Sequence, residues 1–543
     1  MNPFFQLTLA VAVSMLVISV VRRFAPSLGL VDMPDARKVH TVPIPRVGGA
    51  GITLGTLVPI VLIFRPDPLV QSFLIGCVTV FAFGIWDDAR TIGHWTKFAG
   101  QLAAAAAVVY YGDLWVSRVP FLENPLPPGL GKPFTVFALV GVVNATNHSD
   151  GLDGLAGGES ILSLIALATL GYMSGSALIL SISLATIGGI LGFLRFNSHP
   201  AHVFMGDSGS QVLGFTLGFL VVYLTQIANT SVSAALPLLI LGVPIADILS
   251  VLYRRMRGGM NWFKATRNHV HHRLLQLGFD HYETVVIIYS IQAALVTSAV
   301  LARYEADTVV ALLYGAVIVS LFGLLSAAER RGWRLRRTHA SAWRITPAIA
   351  ALKASKVILK GPLLVITAIA PAVMLLNALS VTSIPADLAA ATALLSVVPA
   401  VYLFRPRMVH TALLRAAIYA TAIIPAYLLI SYPGEFPTGV ESITTVMTVV
   451  LAAAVVLYVC FSAEQRFGTT PTDYLIVCGM VALLVFGSID VNSRNVVEAV
   501  LFATVLMYAC EIIVGGTTRR SSSLLLQCST LGTLLIITVR GVL

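Results

Sequence analysis

Two adjacent carboxylates, Asp87 and Asp88, stand at the end of a long apolar run. A carboxylate at membrane depth is energetically costly, so by default it indicates a functional site. Two neighbouring carboxylates repel each other and need a cation or a shared proton. A Mg²⁺ ion binds carboxylates together with the oxygens of a substrate phosphate. The pair is therefore a candidate catalytic or metal site; the alternative is two side chains that simply reach water at the membrane boundary.

A second polar cluster reads NATNHSDGLDGLAGG, residues 144–158. It holds candidate ligands at Asn147, Asp150 and Asp153 among four glycines. The spacing of the aspartates is similar to that of a calcium-binding EF-hand loop, but Leu152 stands where that loop needs Asp or Asn. An EF-hand is thus excluded. This composition exceeds what a simple turn requires and indicates a binding loop.

A third cluster reads FNSHPAHVFMGDSGS, residues 196–210, and leads into another apolar run. Small residues at the start of a helix expose backbone N–H groups to an anion. Asp207 at that start can hold a metal ion that bridges the same anion. Phe204 could stack on a nucleotide base, and the alternative for it is an interfacial aromatic anchor.

Two basic stretches complete the set. The first, VDMPDARKVHTVPIPRVGG at residues 31–49, contains Lys38 and suits a structured loop that grips phosphates. A topogenic positive-inside loop is its alternative. The second, NHVHHR at residues 268–273, raises the possibility of zinc, but it has no Cys or acidic ligand nearby at a helical spacing. Histidine and arginine together fit a pyrophosphate clamp better.

These clusters lie between segments that are long and apolar enough to cross a bilayer. The 543-residue chain is 57% hydrophobic and 11% charged, whereas soluble globular proteins carry about 25% charged residues. The net charge of +10 fits Lys and Arg in cytoplasmic loops that contact anionic membrane lipids, so we expect no nucleic acid partner. The sequence predicts an all-α fold, a polytopic transmembrane helical bundle.

About eleven membrane spans are predicted in the first part of the chain, followed by about seven more. The first group is 4–22, 49–65, 70–87, 97–111, 133–145, 159–173, 176–195, 209–226, 233–254, 283–301 and 307–327. The second group is 361–379, 385–404, 409–431, 441–462, 473–489, 494–514 and 523–542. Most approach the roughly 20 apolar residues that a spanning helix needs, and several, notably 133–145, are Gly-rich or short.

The distribution of charge predicts the orientation and the domains. Basic residues collect in alternate loops, which the positive-inside rule assigns to the cytoplasm together with every polar cluster described above. We expect a catalytic membrane domain over 1–328 and a basic cytoplasmic linker over 329–360, with an amphipathic helix at 345–360. A C-terminal membrane block of open role covers 361–543.

Acidic metal ligands, basic phosphate ligands and glycines on one face of a membrane bundle fit phosphoryl transfer to a lipid substrate. In such a reaction a metal ion neutralises the pyrophosphate, and fixed cations stabilise the charge of the transition state. A polytopic lipid or glycan transporter is the main alternative. Transporters, however, place their polar groups near mid-membrane, and here these groups cluster in loops.

In this order, the motifs resemble those of the polyprenyl-phosphate N-acetylhexosamine-1-phosphate transferases. These glycosyltransferase family 4 enzymes begin the synthesis of O-antigen lipopolysaccharide, common antigen and teichoic acid. The resemblance covers about residues 1–328 and rests on DMPDARKVHTVPIPRVGG, DD at 87–88, NATNHSDGLDGLAGG, FNSHPAHVFMGDSGS and HVHHRL. Residues 345–543 lie outside it.

The resemblance implies transfer of a sugar-1-phosphate, of the N-acetylglucosamine type, from a UDP-sugar to undecaprenyl or another polyprenyl phosphate, with UMP released. Phospho-MurNAc-pentapeptide transfer, which makes lipid I, is the alternative within the related enzymes. The setting implied is a multi-pass protein of the bacterial inner membrane with a cytoplasmic active site, and a homodimer is one arrangement open to it. The cofactor implied is Mg²⁺, with Mn²⁺ as a substitute.

The resemblance also implies roles for individual residues. The metal ligands are expected to be Asp207, Asp87 and Asn147. The catalytic residues are expected to be Asp87, Asp88, Asp207, His271 and His272. The substrate-binding residues are expected to be Lys38, Asn147, Asp150, Asp153, Asn197, Phe204 and Arg273.

Overall fold

The computed structural model describes most of the chain. The described residues are 3–34, 42–65, 67–259, 268–335, 356–382, 384–406, 411–431, 437, 439–461, 491–516 and 520–542. The chain forms two compact units. One contains Gln6–Arg336, and the other contains Arg337–Thr469, Leu483–Leu543 and the N-terminal Met1–Phe5.

The first unit is built from helices, which we number in chain order. They are α1 (Pro3–Phe24), α2 (Gly48–Ile63), α3 (Pro68–Ala89), α4 (His94–Ala106), α5 (Pro128–Ser149), α6 (Leu155–Met173), α7 (Ala177–Asn197), α8 (Gly206–Tyr223), α9 (Leu236–Ile240), α10 (Gly242–Arg257), α11 (Val270–Gln276), α12 (His281–Leu301) and α13 (Asp307–Arg330). Helices α4 and α8 each continue into a π-helical turn, at Ala107–Tyr111 and Leu224–Ala228.

The second unit is also helical. Its described helices are α14 (Lys356–Ser380), α15 (Ala386–Phe404), α16 (Thr411–Ser431), α17 (Val440–Phe461), α18 (Val491–Gly516) and α19 (Arg520–Val542). Its largest core cluster joins α14, α16, α17 and α18 through apolar side chains that include Met374, Ile418, Leu451 and Leu506. The predicted span at 473–489 and most of the predicted amphipathic helix at 345–360 lie outside the described residues.

The prediction of an all-α, polytopic membrane bundle is confirmed. Within the described residues, nine helices are long and apolar enough to cross a bilayer, and several shorter apolar helices accompany them. The strand content of this part of the chain is one short antiparallel pair, in which Val31–Asp32 pairs with Ile44–Pro45. That pair fixes the ends of the first basic stretch, a feature that the helix-scale hydropathy pattern does not report.

Helix α8 lies at the centre of the first unit. It packs against α2, α3, α5 and α6, and nearly all of its side chains are buried. Phe215 and Phe219 of α8 contact Phe73 of α3, with ring centroids 6.1 Å and 4.9 Å from Phe73. Because lipid chains are as apolar as these side chains, close packing rather than hydrophobic transfer holds such helices together.

The predicted single span at 233–254 is wrong in one respect, because the chain breaks at Leu241 between α9 and α10. Pro244 has no N–H group to continue the helical bonding pattern. Side chains of neighbouring helices satisfy the freed backbone groups. The Ile240 carbonyl accepts from Ser163 at 2.7 Å and from Gln292 at 2.9 Å, and Gln292 also accepts the Val243 N–H at 3.0 Å. A break inside a membrane is tolerated only when protein groups provide such partners.

We predict that Gly84→Ala destabilises the first unit. Gly84 lies where α3 touches the start of α8, and an added Cβ would sit 2.5 Å from the Ser208 Cα and 2.8 Å from its amide nitrogen. Backbone atoms cannot yield as a flexible side chain does, so the helices must separate, at a cost of about 1–3 kcal/mol. The unfolding temperature in detergent measures the effect. Gly141→Ala is the matched control, since its added methyl meets nothing within 4 Å; equal melting of both variants would contradict the prediction.

Candidate functional site

The N-terminus of α8 is held by a carboxylate from another helix. Asp88, at the end of α3, accepts the backbone N–H groups of Asp207 at 2.8 Å and Ser208 at 3.0 Å, and the Ser208 hydroxyl at 2.7 Å. The first N–H groups of a helix have no partner within it, and a carboxylate there is also favoured by the helix dipole. Gly206 permits the approach, because its φ of +74° and a Cβ only 2.5 Å from an Asp88 oxygen would both oppose a larger residue.

Three charged groups meet beside this helix start. The Lys97 ammonium lies 3.0 Å from an Asp87 oxygen and also forms an ion pair with Asp207. The remaining Asp87 oxygen accepts the Ile92 N–H at 2.9 Å. Two carboxylates therefore converge on one cation, which offsets their mutual repulsion. All three side chains keep some access to solvent, with 16–28% of each exposed.

Lys97 was not among the residues predicted from the sequence. A signal was present, because the segment between the end of α3 at Ala89 and the start of α4 at His94 is short, so the first turn of α4 returns close to the acidic pair. A lysine in that turn is within reach of Asp87. The sequence alone did not show whether the Lys97 side chain points to the acidic pair, because a lysine near the end of a span can also serve only to set the orientation in the membrane.

Asn147 connects α5 to the same carboxylate. Its amide nitrogen donates to Asp207 at 3.0 Å and to the Ser210 hydroxyl at 2.8 Å. One turn earlier in α5, Asn144 donates to the Gln101 side-chain oxygen at 2.7 Å. The structure thus brings together four of the predicted site residues, namely Asp87, Asp88, Asn147 and Asp207, around the start of α8.

Asp150 lies just beyond α5 with its side chain open to solvent. Dense surrounding protein still desolvates the carboxyl, and the negative charges of Asp207, Asp88 and Asp153 add to this effect, so the pKa of Asp150 is raised to about 7. The raised pKa brings protonation of Asp150 closer to neutral pH, which suits proton transfer.

Asn197 and Asp153 fasten the second and third clusters to each other. Asn197 accepts the Gly154 N–H at 2.7 Å and donates to the Val203 carbonyl at 2.9 Å. Asp153 bonds the His199 ring at 2.6 Å and accepts the Ala201 N–H at 3.1 Å. Both residues were predicted to bind substrate, and the contacts described here are with protein.

His281, at the start of α12, packs against the same pair of loops. Its ring stacks on His199 with centroids 4.1 Å apart, and its Nε2 lies 3.1 Å from the Asp153 carbonyl. Asp153, His199 and His281 also form the one group of potential metal-ligating side chains detected among the described residues. The possible ligand atoms of these three residues all lie within 4.8 Å of one another.

Backbone bonds place Phe204 beside the first basic stretch. The Phe204 N–H donates to the Pro45 carbonyl at 2.8 Å, and its carbonyl accepts the Gly48 N–H at 3.0 Å. Phe204 is half-buried, and these bonds hold its backbone beside Pro45 and Gly48. Lys38, predicted in the same stretch, lies outside the described residues.

The second basic stretch has two different environments. His271 is 3% exposed and lies against Gly151, and its burial, with the neighbouring His272 and His269, lowers its pKa to about 3. It is therefore a neutral ring rather than a cation. Arg273 donates to Glu329 at 2.6 Å and to Ser326 at 3.3 Å, both in α13. The structure brings His271 to the Asp150 loop but pairs Arg273 with α13.

Comparisons with known proteins agree with this architecture. A model of glycosyl transferase family 4 matches residues 70–225, the segment that carries Asp87, Asp88, Asn147 and Asp207. The probable undecaprenyl-phosphate N-acetylglucosaminyl 1-phosphate transferase of Bacillus subtilis (strain 168) is 35% identical over 292 residues, which cover 53% of this chain and 82% of the relative. The chain belongs to glycosyl transferase family 4.

Two further relatives match the chain to a similar extent. The undecaprenyl-phosphate alpha-N-acetylglucosaminyl 1-phosphate transferase of Escherichia coli (strain K12) is 30% identical over 328 residues, 58% of this chain and 88% of the relative. The decaprenyl-phosphate N-acetylglucosaminephosphotransferase of Mycobacterium tuberculosis (strain CDC 1551 / Oshkosh) is 31% identical over 357 residues, 58% of this chain and 85% of the relative. The resemblance stated from the motifs is thereby confirmed.

The two central aspartates of this family 4 transferase should respond differently to the same substitution. Asp88→Asn keeps one acceptor but turns an amide group towards the donors at the start of α8, so we expect a loss of about 1–3 kcal/mol in the free energy of unfolding. Asp207→Asn keeps an acceptor for Asn147 and removes one of two repelling charges, so we expect a smaller change. Thermal unfolding in detergent compares them. An Asp88→Asn variant that melts no lower than Asp207→Asn would refute the capping role.

Proposed function

We propose that this family 4 transferase moves N-acetylglucosamine-1-phosphate from UDP-N-acetylglucosamine to a polyprenyl phosphate. The observation that carries the proposal is the convergence of Asp87, Asp207 and Lys97 at the amino end of α8. That arrangement offers carboxylates for a metal ion and a cation for phosphate. The names of the three relatives described above supply the choice of sugar and lipid.

The donor set fits a magnesium ion. Asp87 and Asp207 direct carboxylate oxygens at one shared cation, a position that Lys97 occupies here. Asn147, bonded to Asp207, adds an amide that can turn its oxygen to the same place. These hard oxygen ligands suit Mg²⁺, with Mn²⁺ as a substitute. When bound, Mg²⁺ would neutralise charge on the pyrophosphate of the donor.

The chain's own residues would divide the remaining work. An oxygen of the lipid phosphate attacks the sugar-bearing phosphorus of the donor, and the bond from that phosphorus to UMP breaks, so that UMP leaves with the electron pair. Asp88 has three donors on its carboxylate and is buried, so it acts as a positioning residue and is poorly placed to attack phosphorus. Asp87 is the more accessible carboxylate and could take a proton from the lipid phosphate. Lys97 would offset the charge that develops on phosphate oxygens.

The proposed setting follows from the bundle and from the basic loops. The protein is a multi-pass membrane protein, and we propose that the site faces the cytoplasm of a bacterial inner membrane, where the UDP-sugar is dissolved. The acceptor's isoprenoid chain would stay in the bilayer. A homodimer remains a separate proposal that no contact described above addresses.

We predict that Asp207→Asn abolishes release of UMP, because it removes a charge that would hold the metal ion against the donor. The assay uses purified protein, undecaprenyl phosphate, Mg²⁺ and a panel of UDP-sugars, with turnover lowered at least about 100-fold and EDTA giving the same loss. Asp113→Asn is the control, since Asp113 is an exposed residue paired with Lys132. Wild-type turnover by Asp207→Asn at saturating Mg²⁺ would reject the metal assignment.

We also propose that the first unit alone carries this chemistry, with the C-terminal block serving another role. All the site contacts described above lie between residues 45 and 329. A protein truncated near residue 336 should therefore retain UDP-sugar:polyprenyl-phosphate transfer in detergent, and its activity per folded molecule is the quantity to measure. A truncated protein that folds and binds UDP but does not turn over would assign part of the site to residues beyond 336.

A further inference from the structure

A buried carboxylate in α10 holds the loop that leads into α11. Asp247 is 3% exposed, accepts from His269 Nδ1 at 2.7 Å and accepts the Val270 N–H at 2.7 Å. One side chain thus binds both the ring of His269 and the backbone at the start of α11. Sequence reasoning singled out neither Asp247 nor this contact, because Asp247 lies inside an apolar run.

The ring of His269 connects the Asp247 carboxylate to the loop that holds Asp150. It stacks on His148 at 5.3 Å and on His271 at 5.7 Å between centroids. His271 in turn packs directly on Gly151, because a Cβ added to Gly151 would lie only 2.2 Å from the His271 Nε2. The order of contact is therefore Asp247, His269, His271 and the loop that holds Asp150.

An ionised carboxylate accepts hydrogen bonds, so the contact with His269 requires a proton on Nδ1. A histidine whose Nδ1–H is held in this way has only Nε2 left for any other partner, and its ring orientation is fixed. In serine proteases a carboxylate holds the catalytic histidine in the same way. Removing that carboxylate leaves the ring in place but in the wrong tautomer, and most of the activity is lost.

We infer that Asp247 is a positioning residue for the transfer reaction: it fixes the tautomer and the orientation of His269 and, through His271, the position of the Asp150 loop. The inference rests on the proposed function, because it assumes that this loop serves the sugar-nucleotide donor. Asp247 itself touches no substrate. A purely structural reading makes Asp247 only a cap for α11, and the two readings differ in what they predict for the ring.

The test compares Asp247→Asn with Asp307→Asn in the full-length protein. Asp307 is the matched control, since its carboxylate also accepts a side chain, Ser233 at 2.5 Å, and backbone N–H groups, those of Ala235 and Phe121 at 3.3 Å. Asn at 247 can still accept the Val270 N–H, but its NH₂ group then faces Nδ1 and favours the other tautomer. Both variants lose a charge that caps a helix, but only Asp247→Asn should change the tautomer of a histidine, His269.

Two readouts separate positioning from stability. Nitrogen NMR of ¹⁵N-histidine protein, with His269 assigned from His269→Gln, should show a proton on Nδ1 in the wild type and a shift to Nε2 in Asp247→Asn. Kinetics with UDP-N-acetylglucosamine should show kcat/KM lowered about 10- to 1,000-fold in Asp247→Asn and little changed in Asp307→Asn, with partial recovery in Asp247→Glu.

The outcomes are distinguishable. Asp247→Asn kinetics equal to those of Asp307→Asn, with the wild type active, would overturn the inference and leave the proposed function intact. A wild-type spectrum with Nδ1 unprotonated would overturn it even if Asp247→Asn did not fold. A wild type that folds but releases no UMP would instead defeat the proposed function, while the tautomer measurement would still report on the Asp247 contact.

Discussion

The bond between the Asp88 carboxylate and the first turn of α8 is the contact on which the site depends. Helix α8 is the centre of the first unit, and Asp207, Ser208 and Ser210 all project from its start. An unheld helix start leaves its N–H groups without partners in a place where water is scarce. By supplying three acceptor contacts from α3, Asp88 fixes where Asp207 stands relative to Asp87 and Lys97.

Two adjacent aspartates therefore have different environments although their sequence context is the same. Asp88 turns inward to backbone N–H groups, and Asp87 turns to Lys97 and the Ile92 N–H. Successive helical residues point about 100° apart, so the two side chains meet different neighbours when one of them enters the helix interface. The repulsion between the Asp87 and Asp88 carboxylates is thus reduced by their separate partners, without a metal ion.

Much of this could be predicted from the sequence, because length and hydropathy determine where helices cross a bilayer. Several predicted spans agree with the described helices to within a few residues, for example 283–301 with His281–Leu301 and 307–327 with Asp307–Arg330. The motif loops also contain the residues that meet at α8. What could not be predicted is which partner each polar residue takes. Arg273, predicted to bind substrate, bonds Glu329, and nothing in the local sequence reports that the end of α13 lies beside α11. Lys97 and Asp247 were missed for the same reason: their roles come from tertiary neighbours.

The break between α9 and α10 has a consequence for how firmly the loop at residues 268–273 is held. Helix α10 carries Asp247, and its first turn is bonded to Gln292 and, through the Gly242 carbonyl, to Tyr314 at 3.1 Å. These bonds lie among buried side chains, where a low dielectric strengthens hydrogen bonds and solutes do not compete for them. The position of the loop at residues 268–273 is thus set by contacts in the interior of the bundle, because Asp247 of α10 holds the loop. Its alignment is therefore insulated from the ionic strength of the surrounding solution, because His269, Val270 and His271 are themselves buried.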